Sequence, residues 1–122
     1  MTSRPSSIVL FGAGKMGFAL LQGWADLGLV GPDVTVLEPF PSEELKALCA
    51  ARGVRLNPPD EDLSRPQTLA LAIKPQALDA AAPRLARLAG PQTLVLSILA
   101  GKGIADIQER APEAGAIIRD LP

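Results

Sequence analysis

The sequence contains no histidine and no tyrosine among its 122 residues, and its one cysteine is Cys49. Two side chains commonly used for proton transfer are therefore missing. A reaction needing a general acid must use Lys, Asp, Glu, water or another chain segment. A lone cysteine excludes an internal disulfide and fits a reducing compartment, so a cytoplasmic location is expected. Cys49 itself reads as a small core residue. Charge of one sign does not accumulate either. The formal net charge is −1 and no basic run occurs, which argues against nucleic acid or an acidic membrane surface as partner. No apolar run reaches the length that spans a bilayer. Residues 1–7 lack the apolar stretch of a secretion signal and read as a short polar leader. No metal site is expected, and no repeat, linker or low-complexity segment interrupts the chain.

What is present is apolar. Hydrophobic residues make up 48% of the chain, so it should fold rather than remain disordered. A chain of this length suits one domain and can bury a little over 60% of its extended-chain surface.

The most informative stretch is Ile8-Val9-Leu10-Phe11-Gly12-Ala13-Gly14-Lys15-Met16-Gly17. Four apolar residues read as a buried strand. Glycines then fall in the G-x-G-x-x-G spacing. A helix follows, with apolar or small residues at Met16, Ala19, Leu20, Gly23, Trp24 and Leu27 as its expected packing face. Each glycine has a distinct physical task in such a strand-to-helix turn. Gly12 would make the tight turn. Gly14 would let a pyrophosphate approach the backbone, and Gly17 would let the helix lie close on the sheet. The N–H groups of Ala13, Gly14, Lys15 and Met16 lie at the positive end of that helix. A Walker-type phosphate loop is excluded, because Val9 stands where its first glycine belongs and Met16 where its Ser or Thr belongs.

The rest of the chain alternates strand and helix. Val34-Thr35-Val36-Leu37 reads as a second strand that ends at Glu38 and is stopped by Pro39-Phe40-Pro41. Ser42 is the expected N-cap of a helix with Glu43 and Glu44 in its first turn, Leu45, Leu48 and Cys49 on its apolar face and Gly53 as its stop. Val54 and Leu56 alternate with polar neighbours as a short third strand, and one helical turn is expected within 60–64. A fourth strand is expected over Thr68–Ile73 and ends at Lys74-Pro75. A helical period runs through Leu78, Ala81, Ala82, Leu85 and Leu88, with Pro83 expected to split or kink it near Ala82. Gly90-Pro91 is a turn, Thr93–Ile98 a fifth strand, Ile104 and Ile107 mark a short helix, and Ala116–Arg119 a sixth strand. This order predicts a doubly wound α/β (Rossmann) parallel sheet of strand order 3-2-1-4-5-6.

Four segments together resemble pyrroline-5-carboxylate reductase. They are 11–17 with the following Ala19-Leu20-Leu21-Gln22-Gly23-Trp24; Leu71-Ala72-Ile73-Lys74-Pro75-Gln76; Val95-Leu96-Ser97-Ile98-Leu99-Ala100-Gly101; and Ile117-Ile118-Arg119-Asp120-Leu121-Pro122, the last similar to an R-x-M-P pattern with Leu121 in place of Met. The resemblance implies that residues 1–122 are an NAD(P)-binding domain. A C-terminal helical domain, which makes the homo-oligomer and contacts the substrate, is expected outside these residues. It also implies hydride transfer from NAD(P)H to the C=N of 1-pyrroline-5-carboxylate, giving L-proline, and a chain that does not turn over by itself. Such a domain should expose partner-facing apolar surface, expected around Ile104 and Ile107 and at Ile118–Pro122.

Ligands in this fold sit beyond the carboxyl ends of the strands. Ala72, Ile73, Lys74 and Pro75 leave the fourth strand there, and Ala100 and Gly101 follow the fifth, where small residues would let the nicotinamide lie against backbone. Lys74 reads equally as a ligand of ribose, pyrophosphate or substrate carboxylate and as a solvated lysine. No catalytic residue is assigned. Glu38 stands about 20 residues beyond Gly17, where an acid accepts hydrogen bonds from adenosine ribose hydroxyls and favours NAD; the alternative is a carboxylate pointing to solvent. The resemblance allows NADP, whose users typically place a small hydroxyl residue near Phe40, with Ser42 close by. Two other functions share these features: the cofactor domain of a β-hydroxyacid-type dehydrogenase, and a non-catalytic dinucleotide-binding module. The loops after the fourth and fifth strands argue against the first.

Overall fold

In the computed structural model, residues 7–28, 31, 33–98 and 104–119 are described. Four-residue strands β1 (Ile8–Phe11), β2 (Val34–Leu37), β4 (Thr68–Leu71), β5 (Leu94–Ser97) and β6 (Ala116–Arg119), with the shorter β3 (Arg55–Leu56), form one sheet. Its order is β3-β2-β1-β4-β5-β6 and every pairing is parallel, as the alternation of strands and helices requires. The helices are α1 (Lys15–Asp26), α2 (Glu43–Arg52), α3 (Leu78–Leu88) and α4 (Ile104–Arg110).

The strand period of two divides the core. On one face Leu10, Val36 and Ala70 pack with Leu21 of α1 and Leu45 and Cys49 of α2. On the other, Val9, Phe11, Leu69, Leu71 and Val95 pack with Leu78, Leu85 and Leu88 of α3 and Ile107 of α4. Central strands covered on both faces have no room for polar side chains, which is why 8–11 and 68–71 are nearly continuous apolar runs. Burial holds Cys49 as a protonated thiol, raising its pKa by desolvation.

Local chemistry sets the element ends. The Ser42 hydroxyl accepts the Leu45 N–H at 3.0 Å and Gly53 closes α2 at φ +73°. A 3-10 turn spans Asp60–Asp62.

Four expectations are corrected. The fully buried row of α1 is Gly17, Leu21 and Ala25; of the expected face, Leu20 and Trp24 pack half-buried against the core, Ala19, Gly23 and Leu27 are exposed, and the Met16 side chain is outside the described residues. Gly17 seats against the Gly12 carbonyl and the Ala72 methyl, and that contact fixes which row of the helix meets the sheet. β4 and β5 are shorter than expected. Ala72 N–H still donates to Phe11 O at 2.8 Å, but the chain of β1 turns away at Gly12, so the ladder stops. Thr93 turns its hydroxyl to the Gly90 N–H, at 3.1 Å, instead of opening β5. Pro83 does not split α3, which is continuous over 78–88. Pro83 faces solvent, and the bond it cannot make concerns only the carbonyl of exposed Asp79. The interruption lies earlier, in a 3-10 turn over Pro75–Ala77 that leads directly into α3. Finally, Ile107 is fully buried in the core rather than on a partner-facing surface, whereas Ile118 is 49% exposed as expected; the Ile104 side chain and residues 120–122 are outside the described residues.

Candidate functional site: the glycine-rich turn between β1 and α1

The turn between β1 and α1 is built by three glycines in three different situations. Gly12 has φ +96°, and a Cβ there would lie 2.8 Å from both the backbone N and Cγ2 of Ile73. A side chain is thus barred both by backbone conformation and by crowding. Gly17 would drive a Cβ into the Gly12 carbonyl oxygen, so helix and turn can approach only with glycine there. Gly14 differs: it is exposed, with ordinary φ −70°, and a Cβ built on it would meet nothing within 4 Å. The first two glycines are required by the fold, and Gly14 opens onto empty space.

That space lies at the amino end of α1. Gly14 is the N-cap and supplies no side chain to cap the helix. The first N–H groups of a helix have no intrahelical partner, and the dipole adds positive potential there. A groove of about 250 Å³ opens at this point, lined by Ala13, Gly14, Lys15, Phe18, Phe40, Ser42 and Glu44. Phe40 is 87% exposed on its wall. The combination of unsatisfied backbone donors, a nearby lysine and no obstructing Cβ fits an anionic group such as a pyrophosphate.

Glu38 leaves β2 and turns back onto this loop. Its Oε1 accepts the Ala13 N–H at 2.8 Å and its Oε2 accepts the Phe40 N–H at 3.0 Å. The carboxylate is therefore held in place and does not point freely to solvent. A carboxylate has about four acceptor positions, and two remain for ligand hydroxyls. Glu38 is anchored from behind as well. Its backbone N–H donates to Asn57 Oδ1 at 2.8 Å, and Asn57 Nδ2 donates to its carbonyl at 2.7 Å. Sequence reasoning singled out neither Asn57 nor Phe18. The available signal for Asn57 was its type, since Asn is among the few non-glycine residues that tolerate a left-handed backbone.

Ala72 and Ile73 meet the Gly12 and Gly17 backbones, so the ends of β1 and β4 form one surface. Lys74 is exposed beside them, and Pro75 begins the 3-10 turn. The structure brings Gly12, Ala13, Gly14, Lys15, Gly17, Glu38, Ala72 and Ile73 together at the carboxyl end of the sheet. The Met16 backbone belongs to the first turn of α1, but its side chain is outside the described residues, as are Ala100 and Gly101. Among the described residues no three His, Cys, Asp or Glu side chains converge as metal ligands. No described helix is long and apolar enough to cross a membrane. A larger recess of about 320 Å³, lined by Arg65, Pro66, Gln67, Gly90, Pro91, Gln92 and Thr93, lies at the amino ends of β4 and β5. It is on the wrong side of an α/β sheet for a ligand.

Comparison with known proteins agrees with the motifs. A pyrroline-5-carboxylate reductase of Methanosarcina acetivorans is 35% identical over 120 residues, covering 94% of this chain and 43% of that protein. One of Pasteurella multocida is 30% identical over 121 residues, covering 95% of this chain and 43% of that protein. The solved pyrroline-5-carboxylate reductase of Coxiella burnetii matches with a TM-score of 0.79 at 20% identity, over 94% of this chain and 43% of that chain. At that identity the likeness speaks for the fold. The chain spans less than half the length of these relatives. Residues 7–101, more than half of the chain, match the family described as NADP oxidoreductase coenzyme F420-dependent, and the chain belongs to that family.

Proposed function

We propose that this chain is the dinucleotide-binding part of a pyrroline-5-carboxylate reductase, in which bound NAD(P)H supplies hydride to the C=N carbon of 1-pyrroline-5-carboxylate and L-proline results, a step of proline biosynthesis. The observation that carries the reading is the open space at Gly14, at an uncapped helix N-terminus between two glycines that the fold itself requires. The two curated relatives support the choice of reaction.

In this reading the pyrophosphate lies along the turn of Gly12, Ala13, Gly14, Lys15, Met16 and Gly17 and is held by the N–H groups at the amino end of α1. The Gly12 and Ala13 N–H groups are bonded to Leu37 O and Glu38 Oε1. Glu38 receives the adenosine ribose. Ala72, Ile73, Lys74 and Pro75, with Ala100 and Gly101, border the nicotinamide end. The protein contributes binding and orientation, and the hydride chemistry belongs to the cofactor. Among the described residues, Lys74 is a cation at the substrate end, suited to a ribose hydroxyl or the substrate carboxylate. No proton donor is assigned to this chain, which has neither His nor Tyr. Substrate contacts and assembly into a homo-oligomer are assigned to a helical domain outside residues 1–122, and the reaction is proposed for the cytoplasm.

The cofactor is proposed to be NAD. Glu38 is fixed with two acceptor positions to spare, which suits two ribose hydroxyls. A 2′-phosphate would bring negative charge against that carboxylate, with Glu44 also on the groove. Repulsion of unit charges at about 4 Å lies between about 1 and 4 kcal/mol near a protein surface. Ser42, the nearest small hydroxyl, is already engaged as the α2 cap. Calorimetric titration of the chain with NADH and NADPH at one salt concentration tests the reading. NADH is expected to bind on the order of 10-fold more tightly, and Glu38→Ser is expected to narrow that gap. Tighter binding of NADPH would overturn the preference, and failure of both cofactors to bind would overturn the site.

A further inference from the structure

The bonds around Glu38 extend beyond the residues that a dinucleotide would touch. The ladder between β2 and β3 stops at the pair Val36 and Leu56. The next residue, Asn57, has φ +50°, so the chain leaves the sheet there through a left-handed conformation. Its N–H still donates to Val36 O at 2.8 Å. Its side chain then does what a third strand residue would have done. Oδ1 accepts the Glu38 N–H at 2.8 Å and Nδ2 donates to the Glu38 carbonyl at 2.7 Å. Both backbone groups of Glu38 are thus satisfied by one amide. The two reciprocal bonds fix how Glu38 leaves β2, and its carboxylate reaches the Ala13 and Phe40 N–H groups.

We propose that Asn57 is a positioning residue for dinucleotide discrimination: it holds the Glu38 backbone so that the carboxylate stands against the glycine-rich loop with its free acceptors toward the ribose. The proposal rests on the reading of that loop as a dinucleotide site. Asn57 touches no ligand itself and acts only through Glu38. An amide is required because one acceptor and one donor must be offered from the same planar group. A left-handed backbone is required because the chain turns away from β2 at that point, and Asn meets both conditions.

The clean variant is Asn57→Gly, which accepts φ +50° without strain and removes only the side chain. Asn57→Asp keeps the acceptor, loses the donor and sets a negative charge against the Glu38 carbonyl. Two readouts are taken on the whole chain: the ratio of NADH to NADPH affinity by calorimetry, and amide hydrogen exchange at Ala13 and Phe40 without cofactor. Asn57→Gly is expected to lower the affinity ratio on the order of 10-fold and to speed exchange at both amides, with Asn57→Asp shifted in the same direction. A folded Asn57→Gly that keeps the ratio within about 2-fold overturns the proposal, because a merely structural turn leaves selectivity alone. A changed ratio with unchanged exchange also overturns it, since the effect would not run through Glu38. If the unmodified chain binds neither dinucleotide, the site reading falls, and the exchange of Ala13 and Phe40 alone decides whether Asn57 holds Glu38.

Discussion

Gly14 at the carboxyl end of the sheet and the glycines Gly90 and Gly115 at the amino end are used in opposite ways. At the carboxyl end, Gly14 faces open space, and the groove beside it is lined by backbone donors, Lys15 and the exposed ring of Phe40. At the amino end, Gly90 and Gly115 are crowded. A Cβ on Gly90 would lie 2.6 Å from Cδ of Arg65, whose side chain crosses it, and one on Gly115 would strike the carbonyl oxygen of Pro91. The amino end is also tied by hydrogen bonds. Thr93 Oγ1 donates to Pro66 O at 2.7 Å and accepts the Gly90 N–H at 3.1 Å, and Gly115 N–H donates to Gly90 O at 3.0 Å. Arg65 reaches the Arg87 carbonyl and Glu113. Gly90 and Gly115 are hemmed in by their neighbours even though a recess opens beside Gly90, whereas Gly14 itself faces the groove at the amino end of α1. A glycine pattern therefore carries functional information only when the space around each glycine is known.

Substitutions at the two ends should separate these roles. The largest loss of stability is expected for Gly115→Val. The added side chain meets backbone at Pro91, which cannot move aside as a flexible side chain can, and overpacking of this kind costs about 3 kcal/mol. The thermal midpoint should fall by roughly 10 °C, while the folded fraction keeps its affinity for NADH. A smaller loss, about 2 kcal/mol, is expected for Thr93→Val, because Thr93 is buried and its removal leaves the Gly90 N–H and Pro66 carbonyl without that partner. Denaturant unfolding should show a lower midpoint with an unchanged slope, and again no change in cofactor affinity. The smallest effect is expected for Lys46→Ala, which removes the exposed Lys46–Glu43 pair on α2 at 2.9 Å. Exposed pairs of this kind contribute less than about 0.5 kcal/mol, so its unfolding midpoint should match that of the unmodified chain.

The strands and their order were legible because buried parallel strands must be apolar and right-handed crossovers leave little choice of topology. Ser42 and Gly53 were legible as caps because their local chemistry is self-contained. Tertiary contacts decided the rest. The packing row of α1 follows from the seating of Gly17 on Gly12 and Ala72, which periodicity alone does not encode when apolar and small residues occupy several rows. Pro83 looked disruptive, but the helix turns its ring to solvent. Ile107 looked available to a partner, yet α4 packs it under the sheet. At the site, the glycine spacing and Glu38 were readable from sequence. The bonds from Glu38 to Ala13, Phe40 and Asn57 were not, because they join segments 2 to 25 positions apart through side-chain geometry.

The difference between an open and a crowded glycine is tested most directly by calorimetric titration of NADH into the unmodified chain and into Gly14→Val, with circular dichroism on both. The valine side chain has room in the fold and a compatible φ, and it fills the space assigned to the pyrophosphate. The expected result is an unchanged spectrum with affinity weakened on the order of 100-fold or more. A folded Gly14→Val that binds NADH as tightly as the unmodified chain would contradict the assignment and leave the loop a purely structural turn.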